Sequence, residues 1–252
     1  LLLIAACLTI QAQVDLSVIK KVTEADFRPQ FLGIPVDGSK EDMIKDLKSK
    51  GFKYDEQEDY LSGRFNGKDV EVMISTNHDL VDRVFVSYVT VDESQIINQY
   101  NTLLKQFKNN SKYIELVDNK PIDEKENISY EMTIHHNDYQ AAFWYFPSDI
   151  SFKDFSNTYK NLLKAIRTGE KIEGLEDIDF DAEVLQSMKE VSEEEWKEFD
   201  KLSNNDWDEI FKYMILSNNP SMVWFNISRI GSRYSINIFY DNEENRPNGE
   251  DL

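Results

Sequence analysis

The side chains able to do chemistry are few in kind. The chain has three histidines, His78, His135 and His136, and a single cysteine, Cys7. His135 and His136 fall in a stretch that reads as a strand, where neighbouring side chains leave on opposite faces, so the pair cannot hold one metal ion without a bulge. The sequence contains no His-Glu-x-x-His, no Gly-x-Ser-x-Gly, no Walker loop and no dinucleotide fingerprint, and no cofactor is expected. Carboxylates remain, because a glycosidase needs only two of them at a set separation. Asp177, Asp179 and Asp181 alternate in "LEDIDFDAE" as the ligands of a calcium loop do, but the glycine and glutamate that an EF-hand needs at its sixth and twelfth positions are missing. They are weak calcium candidates, and no residue is assigned a catalytic role.

The last apolar stretch, "MVWFNISRIGSRYSINIFY", reads as a hairpin turning near Ile230–Ser232. Val223, Phe225 and Ile227 share one side with Tyr234, Ile236, Ile238 and Tyr240, the side expected to be buried. Trp224, Asn226, Ser228, Ser235, Asn237 and Phe239 stand on the other. Aromatic rings among amides suit a sugar or peptide, since rings stack and amides give directional hydrogen bonds. Trp224, Asn226, Asn237 and Phe239 are therefore the candidate binding residues. The plain structural reading is that Trp224 and Phe239 pair across the strands as ordinary stabilisation.

The elements that must position this hairpin follow from periodicity. Ser39 with Asp42 caps a short helix carrying Met43, Ile44 and Leu47 and ending at Gly51. Strand-like runs follow at Tyr60–Phe65, Val70–Ile74 and Val81–Val89, with Asn66-Gly67 and Asn77-His78-Asp79 as turns. The order then recurs. Asp92 with Gln95 starts a helix with an apolar stripe from Ile96 to Phe107, followed by strands near Tyr113–Val117, Ile128–Ile134 and Ala141–Phe146, the last pair turning at Asn137-Asp138. A helical stretch comes next, with a stripe from Phe152 to Ile166, a helix near Ala182–Lys189, and caps at Ser192/Glu195 and Asn205/Asp208. The expectation is an α+β fold: an antiparallel sheet with helices on one face, built from two units of a helix plus a three-stranded meander, with a helical insertion and a C-terminal hairpin.

Of the 252 residues, Leu1–Ala12 reads as the core and cleavage end of a secretory signal whose basic start is missing, too short to span a bilayer. Ile4-Ala5-Ala6-Cys7 also satisfies a lipobox, so lipidation at Cys7 is the minority alternative to simple cleavage. Either way the mature body lacks cysteine, which excludes disulfides, thiolate catalysis and Cys-ligated zinc there. Residues 13–150 are expected to form an α+β domain, with 151–252 a helical segment plus hairpin of a second or the same domain. No further segment is apolar enough to cross a membrane. The net charge of −19 repels phosphate backbones and excludes nucleic acid as a partner. Fifteen acidic and three basic residues lie between Glu173 and Glu209, either a solvated helical face or a docking face for a cationic partner.

"FLGIPVDGSKEDMIKDLKSKGFKYD" with "LSGRFNG", and the ending "IFYDNEENRPNGEDL", resemble uncharacterised exported proteins of Bacteroides-type gut bacteria, a resemblance that implies export and carries no activity. The helix-then-meander order and "DGSKEDMIKDL" are also similar, in architecture alone, to domains of the beta-lactamase inhibitor protein and outer-membrane assembly lipoprotein type. The sequence thus leads to an exported, periplasmic or secreted, non-catalytic binding protein for another protein or a glycan. The alternatives are a carboxylate-dependent glycan or cell-wall hydrolase and a lipid-anchored structural envelope protein.

Overall fold

The structure, a computed structural model, describes residues 16–23, 25–89, 91–147, 152–169, 190–217 and 221–247. The candidates at Cys7 and at Asp177, Asp179 and Asp181, the leader and the expected helix over 182–189 lie outside them. The elements are α1 (Leu16–Thr23), β1 (Gln30–Phe31), β2 (Ile34–Pro35), α2 (Lys40–Ser49), β3 (Lys53–Asp55), β4 (Tyr60–Phe65), β5 (Lys68–Asn77), β6 (Leu80–Tyr88), α3 (Glu93–Lys108), β7 (Tyr113–Glu115), α4 (Ile128–Tyr130), β8 (Gln140–Tyr145), α5 (Phe152–Thr168), α6 (Glu193–Phe199), α7 (Asn204–Ser217), β9 (Met222–Ile230) and β10 (Arg233–Asp241).

They form two compact units, Asp26–Ser148 with Leu216–Leu252, and Leu1–Ala25 with Asp149–Ile215. The first holds one antiparallel eight-stranded sheet in the order β3-β4-β5-β6-β10-β9-β8-β7 and a small β1-β2 ribbon, so the fold is α+β. The C-terminal hairpin occupies the middle. β10 pairs with β6 and β9 with β8, which stitches the first meander to the second group of strands. This grouping differs from a division at residue 150, because the hairpin's hydrogen bonds go to strands that precede it by more than 75 residues.

Alternation fixes which face is buried. Val70, Val72 and Ile74 of β5, Val84 and Val86 of β6, Phe225 of β9 and Ile236 and Ile238 of β10 meet Met43 and Leu47 of α2 and the stripe of α3 in one core. Both helices start where their caps direct them. The Ser39 side chain accepts from the Asp42 amide, while Asp92 serves α3 through its backbone carbonyl, with no side-chain cap bond. The turns between strands use residues that tolerate a left-handed backbone: Asn66 and Gly67 have φ of +50° and +74°, and His78 and Asp79 of +47° and +64°.

Three local expectations are corrected. The first meander has four strands, because β3 after Gly51 also pairs. Ile128–Ile134 is no strand: α4 runs into a π turn over Glu131–His135, started by the Asn127 side chain accepting from the Tyr130 amide. Ile128 is buried and Met132, four residues on, packs at the core edge, while Tyr130 and Ile134 are exposed, so i to i+4 spacing won over alternation. Asn137-Asp138 is consequently not a hairpin turn, and the two histidines lie at the end of this turn, His136 with φ of +55°.

The second unit is helical. In it α1 packs on α5, which buries Phe155, Tyr159, Leu162 and Ala165. Phe211 of α7 meets Phe155, Tyr159 and Trp207 edge-on or stacked. The α6 cap is the expected box of Ser192 and Glu195. The α7 cap falls at Ser203 with Asp206, two residues before Asn205/Asp208, since the Ser203 hydroxyl accepts from the Asp206 amide while the Asp206 carboxylate accepts from the Ser203 amide.

Candidate functional site

The helices of the sheet unit bury their apolar stripes on one face of the sheet, and the alternate residues of its strands line the other. Register sorts these into rows. Glu71, Ser87, Asn237, Asn226 and Gln140 are successive partners across β5, β6, β10, β9 and β8. The next row is Met73, Phe85, Phe239, Trp224 and Ala142, and the third is Ser75, Arg83, Asp241, Met222 and Trp144. An amide and hydroxyl row therefore runs beside an apolar row, which runs beside a row with a buried ion pair.

All four candidate residues lie on this face and are half-buried. Trp224 and Phe239 stack on each other, with ring centres 3.9 Å apart and planes within 9°. Phe85 meets Phe239 at 5.1 Å edge to face. The stack spends one face of each ring on protein, and Phe85 lies against Phe239. Across β8 the register partner of Trp224 is Ala142, the smallest side chain of the row. Asn237 Oδ1 accepts from the Ser87 hydroxyl at 2.9 Å, whereas Asn226 Oδ1 is buried and has no hydrogen-bond partner among the described residues.

The stack is held from the third row. Asp241 is fully buried, and its carboxylate accepts from Arg83 Nε at 2.5 Å and Nη2 at 3.1 Å, from Trp224 Nε1 at 2.7 Å and from Arg246 Nη2 at 3.2 Å. The Arg83 guanidinium lies 5.2 Å from the Phe239 ring centre and 6.0 Å from that of Trp224, a cation on an aromatic pair. Arg246 also reaches Glu243 at 2.7 Å, whose carboxyl is pushed above its ordinary value by burial and then by the Asp241 charge. Asp241, Glu243 and Asp82 are acids that this site brings near one another. With four donors converging on Asp241 it is tied into structure, not presented to a substrate.

Periodicity pointed to the hairpin half of this surface. It missed Met73, Phe85 and Arg83, which β5 and β6 contribute. The alternation of "VDRVFVSY" shows that Arg83, Phe85 and Ser87 share a side, but only the pairing of β6 with β10 makes them neighbours of Trp224 and Phe239.

The acidic stretch is different. Arg167 binds both Glu193 and Asp200 at 3.0 Å and lies over Trp196. Lys201 holds Glu198, Lys212 lies 3.7 Å from Glu209, and the Ser156 hydroxyl donates to Asp208. Glu195 and Asp206 serve caps, and hydrogen bonds from Ser192 and Ser203 lower their carboxyls below the ordinary range. Most described acids there are answered locally, as in a solvated helical face.

Among the described residues no cluster of three or more metal-ligating side chains occurs, and no helix is long and apolar enough to cross a membrane. No protein-family model matches the chain, and no curated protein and no solved structure matches it significantly.

Proposed function

We propose that this is an exported binding protein that docks another protein on the face of its sheet opposite α2 and α3. The observation that carries the reading is the apolar row from Met73 through Phe85 and Phe239 to Trp224, laid across four adjacent central strands on the face opposite the helices. Met73 is 45% exposed, and Arg83 lies over the rings beside it. Trp, Phe, Met and Arg at the centre of a patch, rimmed by amides and hydroxyls, form the composition of a protein interface core. The leader-like composition of Leu1–Ala12 supports export, to the periplasm or beyond.

The test is capture from an envelope extract on immobilised protein starting at Gln13, beside two variants. Met73→Asp puts a charge into the row at an exposed position and is expected to weaken retention of the specific partner at least about tenfold, the effect of losing a central contact. Glu194→Gln, on the acidic helix α6, is expected to leave it unchanged. Equal retention by wild type and Met73→Asp, or a loss with Glu194→Gln alone, moves the interface off the sheet.

A further inference from the structure

On the helix side of the same unit, α3 carries a second pattern. Asn98, Thr102, Gln106 and Asn110 follow one another at i+4 spacing, one uncharged polar stripe from the helix into the residues after its C-terminus. In a chain with 47 acidic and 28 basic residues, such a stripe without a charge is unexpected for a merely solvated face.

The stripe borders two cavities, of about 390 and 170 Å³, that share Asn66 and Gln106. The amide of Asn66, held by its left-handed turn, donates to Gln106 Oε1 at 3.2 Å between them. The larger cavity has Phe65, Phe107, Tyr113 and Tyr240 in its walls, with Gln30 and Asn110 at its edge, and its size falls in the range of small-ligand pockets. Burial pushes the Tyr113 hydroxyl up to about 12 and raises that of Tyr240 as well.

Among the described residues neither cavity is lined by a carboxylate, the charged lining residues are Lys68 in the smaller and Lys112 in the larger, and neither makes an ion pair. Amides can donate and accept to neighbouring hydroxyls at once, the part-exposed rings of Phe65 and Tyr113 give a sugar ring an apolar contact while Phe107 and Tyr240 are buried, and lysines without an ion pair suit an acidic substituent. We propose that this groove binds an anionic oligosaccharide, its ring in the larger cavity and its acidic groups toward Lys112 and Lys68.

Calorimetric titration of the protein with a galacturonate trimer, a sulfated disaccharide and a neutral galactose trimer tests this. At least one acidic sugar should bind, about tenfold or more tighter than the neutral trimer, with affinity falling as salt rises. Gln106→Ala and Lys112→Ala, both at positions outside the core, should each weaken that binding by about tenfold. Met73→Asp, on the other face of the sheet, should leave it unchanged, which separates this groove from the protein-docking surface. Failure of both acidic sugars to bind, equal binding of the neutral trimer, or binding insensitive to Gln106→Ala overturns the proposal.

Discussion

Asp241→Ala is expected to lower the unfolding free energy by about 3 kcal/mol, at the low end of the range for breaking a buried ion pair. Asp241 is fully buried, and it answers two guanidiniums and an indole N–H with one carboxylate. Removing it strands Arg83 and leaves Arg246 with Glu243 alone, and their side chains, 30% and 29% exposed, recover part of their hydration. That partial recovery keeps the loss from reaching the upper end of the range. Asp241→Asn retains an acceptor for Trp224 Nε1 and should cost less. Urea unfolding measures both. Trp224 fluorescence supplies a second reading, because the carboxylate positions the guanidinium over the Trp224–Phe239 stack and its loss should shift emission to the red. A cost below about 1 kcal/mol for Asp241→Ala would mean that the four contacts are surface-like.

Phe225→Ala is expected to cost about 3–5 kcal/mol, the range for truncating a large buried aromatic. Phe225 is fully buried on the central strand β9, with Tyr100 at 5.2 Å, Phe107 at 5.5 Å and Phe143 at 6.3 Å. Its neighbours come from α3 and β8 as well as from the hairpin, so the cavity cannot close by moving one element. The same substitution at Phe239, half-buried on the opposite face, should cost clearly less. Thermal unfolding of the two variants compares them. Equal losses would contradict the placement of the hairpin at the centre of the sheet with one face in the core.

What the sequence reveals depends on the range of the interaction involved. Alternation within "MVWFNISRIGSRYSINIFY" assigned Phe225 and Ile236 to the core and Trp224 and Phe239 to the other face, because a strand's two faces are a local property. The caps at Ser39 and Ser192 were equally local. The place of the hairpin between β6 and β8 was hidden, since it depends on pairing with strands far away in the chain, and with it went Met73, Phe85 and Arg83. "NISYEMTIHH" misled because Ile128, Tyr130, Met132 and Ile134 satisfy alternation while Ile128 and Met132 also satisfy i+4. An Asn127 cap tipped the choice to helix. The uncharged stripe on α3 is legible at i+4 spacing, but the cavities it borders are not, since Asn66, Lys68 and Lys112 come from outside the helix.

Oxidative footprinting of the captured complex tests the docking face most directly. Met73 is exposed and Trp224 half-exposed on that face, and both side chains oxidise readily when reached by solvent. Protection of both on partner binding, with Tyr213 of α7 still reactive, is the expected result. Unchanged oxidation of Met73 and Trp224 in a complex that still forms would show that the partner sits elsewhere.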